Sequence, residues 1–472
     1  MITEQPATSW KPRSYQKAGV KLMIQQACAG LLYKPGLGKT SVVYMAFRIL
    51  QDKRYVQKLL CICPIRPAYN VWPDQKDKYV EFSHLRVGVM HGPGKEAVLA
   101  SDDYDIYVIN PEGLSWLFNA EIKKGKIKLD PVRMAYLKSK FSMLVVDEST
   151  KFRNPQTARF KLLKAFVPFF ARRYILTGTP TPKSLLDLFG QIYILDEGAS
   201  LGRYITHYRT AYFYPSGYGW YDWQPQPDAA KRIAKKIAPL CQVVEAKGNI
   251  ELPELMYDDI WVTLPKTARE YYRRMEDDMV AAIESGTVVA ANAAVASSKC
   301  RQIANGCIYH SEEVGQYTEV HDEKLQALTD LLEQLQGDPC LVTFEFGFDR
   351  ERITRELEIP CISTGSPSHD SLYIKKFSKG LLPAVQGQPQ SVSLGIDGLQ
   401  DNCFHIAMFG VTWRLLDYEQ VIDRVRRSGN KSNHVIVHRI LARDTVDERV
   451  LEVLDSRDRN QQSFMKLLKE LR

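Results

Sequence analysis

Leu31-Leu-Tyr-Lys-Pro-Gly-Leu-Gly-Lys-Thr-Ser-Val42 is a short apolar run, a glycine turn and the start of a helical pattern. A strand that enters a helix through such a turn aims the N–H groups of the turn and first helical residues at one point, which suits a phosphate. Gly36 and Gly38 permit close backbone approach, Lys39 supplies positive charge, and the Thr40 hydroxyl suits Mg²⁺. Tyr33 occupies the place of the pattern's first glycine. Taken alone, the stretch also fits an accidental glycine turn before a helix.

Further motifs follow in order. Met143-Leu-Val-Val-Asp-Glu-Ser-Thr150 sets two carboxylates directly after an apolar strand. Asp147 is placed to hold Mg²⁺ through water and Glu148 to polarise an attacking water. Leu176-Thr-Gly-Thr-Pro180 closes another apolar strand with two hydroxyls, Thr177 and Thr179, suited to sensing loss of the γ-phosphate; an ordinary turn reads the same way. Far downstream, Gln420, Arg424 and Arg427 stand at helical spacings of four and three residues, which predicts one shared helix face. Guanidinium groups delivered to a transferring phosphoryl group stabilise its charge, and the loop and carboxylates upstream favour that role over a basic surface helix or a phosphate-backbone contact.

Short apolar runs recur between helical patterns at 59–63, 106–109, 143–146 and 174–176, which predicts parallel strands joined by crossover helices. A second series offers strand candidates at 341–344, 392–394, 406–409 and 435–437. Between them, 208–223 is crowded with aromatics, glycine and proline and reads as an irregular insertion. Its rings suit either base stacking or a small satellite core. Helical patterns cover 229–240 and 266–283, and the Ala-rich run 288–298 suits helix or connection equally.

A chain of 472 residues with 45% hydrophobic and 25% charged residues is ordinary soluble-globular material, too long for one core. The 63 Lys and Arg against 55 Asp and Glu give +8, a mild bias toward an anionic partner. Runs such as Lys231, Arg232, Lys235 and Lys236 read first as solvated faces. Nine cysteines with no Cys-x-x-Cys pair fit a reducing cytoplasm, and Cys61 and Cys63 read as small buried hydrophobes. The start, Met1-Ile-Thr-Glu-Gln-Pro6, lacks an apolar signal region, and no run approaches a bilayer's thickness. A soluble, intracellular protein with no membrane partner is expected.

Together these motifs resemble superfamily II helicases, and within them the Swi/Snf-like double-stranded DNA translocases, over nearly the whole chain. Arg13-Ser-Tyr-Gln-Lys-Ala-Gly-Val20 is similar to the family's adenine-recognition element, with Gln16 as reader. Cys63–Trp72 is similar to a segment that runs beside the nucleic-acid track and Val108–Leu114 to the family's next strand-loop element, which implies contacts from Arg66 and Asn110; a turn and a core strand are the alternatives. Trp413 and the stretch from Gln420 to Asn430 match motifs of the second lobe. Gly395-Ile-Asp-Gly-Leu-Gln400 resembles the coupling loop, with an added glycine and Asp397 in place of Asn; Gly395 and Gln420 are its implied coupling residues.

The resemblance implies an α/β protein of two RecA-like lobes with parallel sheets and a small helical insertion, divided as 1–196, 197–310 and 311–472. It implies ATP and Mg²⁺, a double-stranded DNA partner, and a compact bacterial or phage-type member. The implied chemistry places Lys39, Asp147 and Glu148 on one lobe and Arg424 and Arg427 on the other. A strand-separating helicase of the same superfamily is the nearest rival. A DNA-binding ATP switch without motor activity is the rival from another class, and a P-loop metabolite kinase leaves the second series of motifs unexplained. Protein partners are not legible.

Overall fold

The computed structural model describes residues 7–123, 126–216, 222–246, 248–284, 290–310, 315–393, 398–427 and 429–472. By packing, the chain divides into one unit of Met1–Ile250 with Arg459–Arg472, and a second of Glu251–Asp458. These boundaries differ from those read in the sequence. The segment 197–310 is shared between the units, because its strands enter both principal sheets.

The first unit carries a seven-stranded sheet built from β1 (Cys28–Tyr33), β2 (Leu59–Ile62), β3 (Val87–Val89), β4 (Ile106–Ile109), β5 (Met143–Asp147), β6 (Arg172–Thr177) and β7 (Cys241–Val244). Its order is β7-β1-β6-β5-β2-β4-β3, with every pairing parallel. Parallel neighbours need crossover connections, and helices on both faces bury the strands, so β2, β4 and β5 read as unbroken apolar runs. Cys61 and Cys63 are fully buried there, as small hydrophobes. This arrangement leaves the carboxyl ends of the strands as the natural place for a ligand.

The second unit has a five-stranded parallel sheet made of β8 (Glu254–Val262), β9 (Cys340–Thr343), β10 (Ala384–Gly387), β11 (His405–Met408) and β12 (His434–Ala442), in the order β8-β12-β11-β9-β10. The strand expected at 392–394 is not there: Pro389–Ser393 is helical, and Leu394 lies outside the described residues. The strand is β10, whose Ala-Val-Gln-Gly run is too polar to signal one. Gln386 is nevertheless fully buried, its amide donating to the Ile359 carbonyl at 2.8 Å and the Thr354 hydroxyl at 2.9 Å.

The aromatic stretch 208–223 folds as the end of helix Ile205–Tyr212 followed by a hairpin of Phe213–Ser216 and Asp222–Pro225; 217–221 lie outside the described residues. Tyr208, Tyr212 and Phe213 are buried in the core of the first unit, which supports the satellite-core reading for those rings. The run 290–305 is helical, and Lys231, Arg232, Lys235 and Lys236 form the solvent face of helix Ala229–Ile237. Among the described residues no helix is long and apolar enough to cross a membrane.

Candidate nucleotide site

The first unit gathers the phosphate-loop motif, the two carboxylates and the Thr-Gly-Thr turn at the carboxyl ends of β1, β5 and β6. Gly36 and Gly38 sit at φ 79° and 71°, left-handed values that side-chain-bearing residues rarely adopt, and Gly38 caps helix Lys39–Asp52. A helix start leaves its first N–H groups without intrahelical partners, and here they follow directly on the glycine turn. Lys39 Nζ donates to the Tyr33 carbonyl at 2.9 Å, which holds the ammonium back over the loop.

Tyr33 is the last residue of β1 and fully buried, so its place needs no glycine. Its hydroxyl turns away to Gln242 Oε1 at 2.6 Å and the Tyr15 carbonyl at 3.3 Å. Gln16 is buried, accepts from the Arg13 N–H at 2.9 Å and donates to the Leu37 carbonyl at 3.2 Å, fastening the opening helix to the phosphate loop. A Cβ on Gly38 would stand 2.5 Å from Gln16 Nε2.

Asp147 ends β5 nearly buried. Its Oδ2 accepts from Trp72 Nε1 at 3.1 Å and its Oδ1 from the Glu148 N–H at 3.0 Å. Glu148 then adopts φ 52°, ψ 55°, a left-handed turn of a non-glycine residue that costs of order 1 kcal/mol or more and redirects the chain. The Thr-Gly-Thr turn lies against the phosphate loop: a Cβ on Gly178 would be 2.9 Å from Pro35 Cδ and 3.1 Å from the Tyr33 carbonyl oxygen. Thr177 and Thr179 are buried, and the Thr179 N–H donates to the Thr177 hydroxyl at 3.2 Å.

Two residues that the motifs did not single out connect these parts. Trp72 is fully buried and orients Asp147, although only its place in the Cys63–Trp72 segment hinted at a role. Gln191, 1% exposed, accepts from the Ser149 hydroxyl at 2.8 Å and donates to the carbonyls of Pro180 at 2.7 Å and Asp187 at 2.8 Å. It thus fastens the turn after the carboxylates to the turn after Thr179. No local pattern marks such a glutamine within an apolar helix.

The family model described as the SNF2-related domain matches residues 15–310, a span that takes in all of these parts. The chain belongs to the SNF2-related family. It is an ATP hydrolase. This SNF2-related chain is 26% identical to protein p41 of Acyrthosiphon pisum secondary endosymbiont phage 1, over 98% of the chain and 99% of that protein. It is 23% identical to an uncharacterized ATP-dependent helicase of Mycoplasma genitalium over 93% of the chain, but spans only 41% of that relative. Among solved structures, the Sulfolobus solfataricus SWI2/SNF2 ATPase core in complex with dsDNA is similar at 21% identity and TM-score 0.44, covering 99% of this chain and 97% of that one.

Of the remaining expected site residues, Arg66 lies half-buried on the short helix Ile65–Asn70 after β2. Asn110 follows β4, its amide donating to Glu112 Oε2 at 3.0 Å. In the second unit of the SNF2-related chain, Gln420 is buried and Arg424 stands in the last turn of helix Leu415–Val425. Contrary to the spacing, which predicted one shared face, Arg427 lies beyond the helix. The helix ends at Val425 and Arg426 leaves it at φ −80°, ψ 74°. Arg427 Nε returns to the Asp423 carbonyl at 3.2 Å, while Asn430 Nδ2 caps the end through the Val425 carbonyl at 2.9 Å. Trp413 packs partly buried on the core of that unit, its carbonyl accepting from Arg457 Nη1 at 2.8 Å. Gly395 lies outside the described residues.

Among the described residues no group of three or more His, Cys, Asp or Glu side chains could hold a metal by itself. Mg²⁺ takes one or two protein ligands together with substrate phosphates and water. Asp147 and Thr40 present the hard oxygen donors that such an ion takes.

Proposed function

We propose that the chain is an ATP-driven motor that moves along double-stranded DNA, remodelling DNA structures or displacing bound proteins. The observation that supports it most is the joining of loop, carboxylate and Thr-Gly-Thr turns through Gln16, Gly178 and Gln191, so that a change at the γ-phosphate reaches several segments at once. In this reading Gln16 recognises adenine, the backbone after Gly36 and Gly38 cradles phosphate, and Lys39 neutralises it. Thr40 and Asp147 hold Mg²⁺, which when bound draws charge from the phosphate oxygens. Glu148 takes a proton from the attacking water, and Arg424 and Arg427 of the second unit offset negative charge that develops on the phosphoryl group. Thr177, Thr179, Gly395 and Gln420 couple turnover to movement. Arg66, Asn110 and Trp413 contact nucleic acid, held mainly through phosphates and without regard to sequence.

The test is ATP turnover with duplex DNA, single-stranded DNA and RNA. Duplex DNA is expected to stimulate most, with displacement of a triplex-forming strand and no unwinding of a plain duplex. Absence of stimulation by any nucleic acid sinks the motor reading, and unwinding without triplex displacement replaces it with the strand-separating one.

A further inference from the structure

The first unit carries a basic basin that none of the nucleotide machinery uses. It has a volume of about 620 Å³ and is lined by Lys161 and Lys164 of helix Ala158–Phe166, Tyr193 of helix Leu188–Asp196, and Arg203. Lys164 lies over the rings of Tyr193 at 4.8 Å and Tyr204 at 5.4 Å. The one acid on its wall, Glu197, is already engaged by Arg173. Among the described residues, none of the three cations has a carboxylate within 4.0 Å. Burial first, and the Arg203 charge second, push the Lys164 ammonium below its ordinary value.

Arg173 locates the basin, because it belongs to the first residues of β6, whose far end is Thr177. At about 3.3 Å per residue, the basin's acid wall and the Thr-Gly-Thr turn are separated by roughly the length of that strand. The carboxyl end of helix Ala158–Phe166 would attract Lys164 by its dipole alone. It does not account for the convergence of Lys161, one turn earlier, and Arg203, from a different segment.

We propose that Lys161, Lys164 and Arg203 form a second contact for nucleic-acid backbone phosphate, at the amino-terminal side of the first sheet. An open, cation-lined basin with an exposed tyrosine at its edge (Tyr204, 53% exposed) suits a polyanion passing over it. The contact rests on the nucleic-acid reading of the preceding subsection and uses none of the residues assigned there.

The experiment measures duplex affinity of the full chain against salt concentration, for the native chain and for the Lys161→Gln, Lys164→Gln, Arg203→Gln triple variant. Each lost phosphate contact lowers the slope of log K against log salt by about 0.9, so a reduction of about 2 to 3 is expected, with at least a ~10-fold weaker complex at low salt. Unstimulated ATP turnover and the thermal midpoint stay at native values. Equal slopes and affinities for the two proteins, with the native chain binding duplex, overturn the basin and leave the motor reading standing. A native chain that binds no nucleic acid overturns both. Calorimetric binding of inorganic phosphate that the variant loses, with an unchanged duplex slope, assigns the basin to a free anion and also overturns the proposal.

Discussion

At the residue scale, the nucleotide site depends on individual side chains. Lys39→Ala is expected to abolish measurable turnover, and Glu148→Gln to reduce it on the order of 10²–10⁴-fold while nucleotide still binds; steady-state rates beside nucleotide dissociation constants check both. A different kind of prediction comes from His321, buried in the second unit. Its Nε2 donates to the Ile303 carbonyl at 2.7 Å, and its Nδ1 accepts from the Glu323 N–H at 3.3 Å. Both nitrogens are therefore committed in the neutral ring, and burial above all pushes its pKa down to about 4. The unfolded chain takes up this proton near pH 6.5 and the folded chain does not, so stability is lost as pH falls from about 6.5 toward 4. Between pH 7 and pH 5 the loss comes to about 2 kcal/mol. Denaturant unfolding of the native chain and of His321→Asn should show the native chain losing more over that interval; parallel curves would contradict the assignment. His405, stacked on His438 at 2.9 Å between ring nitrogens, adds to the same trend, because burial and then the neighbouring ring lower its pKa.

At the element scale, contacts between turns and helices decide what the residues can do. Gly178 allows the turn after β6 to lie on the phosphate loop, so Gly178→Val should push them apart. Turnover is expected to fall by more than tenfold with little change in the unfolding midpoint, and a native rate would show that the close approach is dispensable. In the second unit, Asp447 Oδ2 accepts from the buried Lys324 Nζ at 2.6 Å and from the Ala442 N–H at 3.0 Å, tying the end of β12 to the start of helix Val446–Glu470. Asp447→Ala leaves that ammonium buried without its carboxylate and is expected to cost about 3–5 kcal/mol in chemical denaturation. Strands β2, β4 and β5 were legible because a strand covered on both faces is apolar throughout. Strand β10 was not, since Gln386 is accommodated by partners on the distant residues Thr354 and Ile359. Arg427 shows the reverse error, since helical spacing continues on paper past the point where Asn430 ends the helix.

At the scale of the whole molecule, the first unit is completed by residues from far along the chain. Phe464, Met465 and Leu468 are buried in its core, so removing 459–472 should destabilise that unit by on the order of 6 kcal/mol, read by limited proteolysis and denaturation. The sequence by itself determined the two α/β series, the order of the phosphate loop, carboxylates and Thr-Gly-Thr turn, and through them the SNF2-related family. Each of these is written in contiguous residues whose periodicity and turn chemistry act locally. Only the tertiary structure decided that β7 lies beside β1, that Trp72 orients Asp147, and that Gln191 joins the turns after β5 and β6. It likewise decided that Lys161, Lys164 and Arg203 line one basin. Those relations arise from strand pairing and side-chain hydrogen bonding between residues distant in the chain, where no local spacing carries the signal.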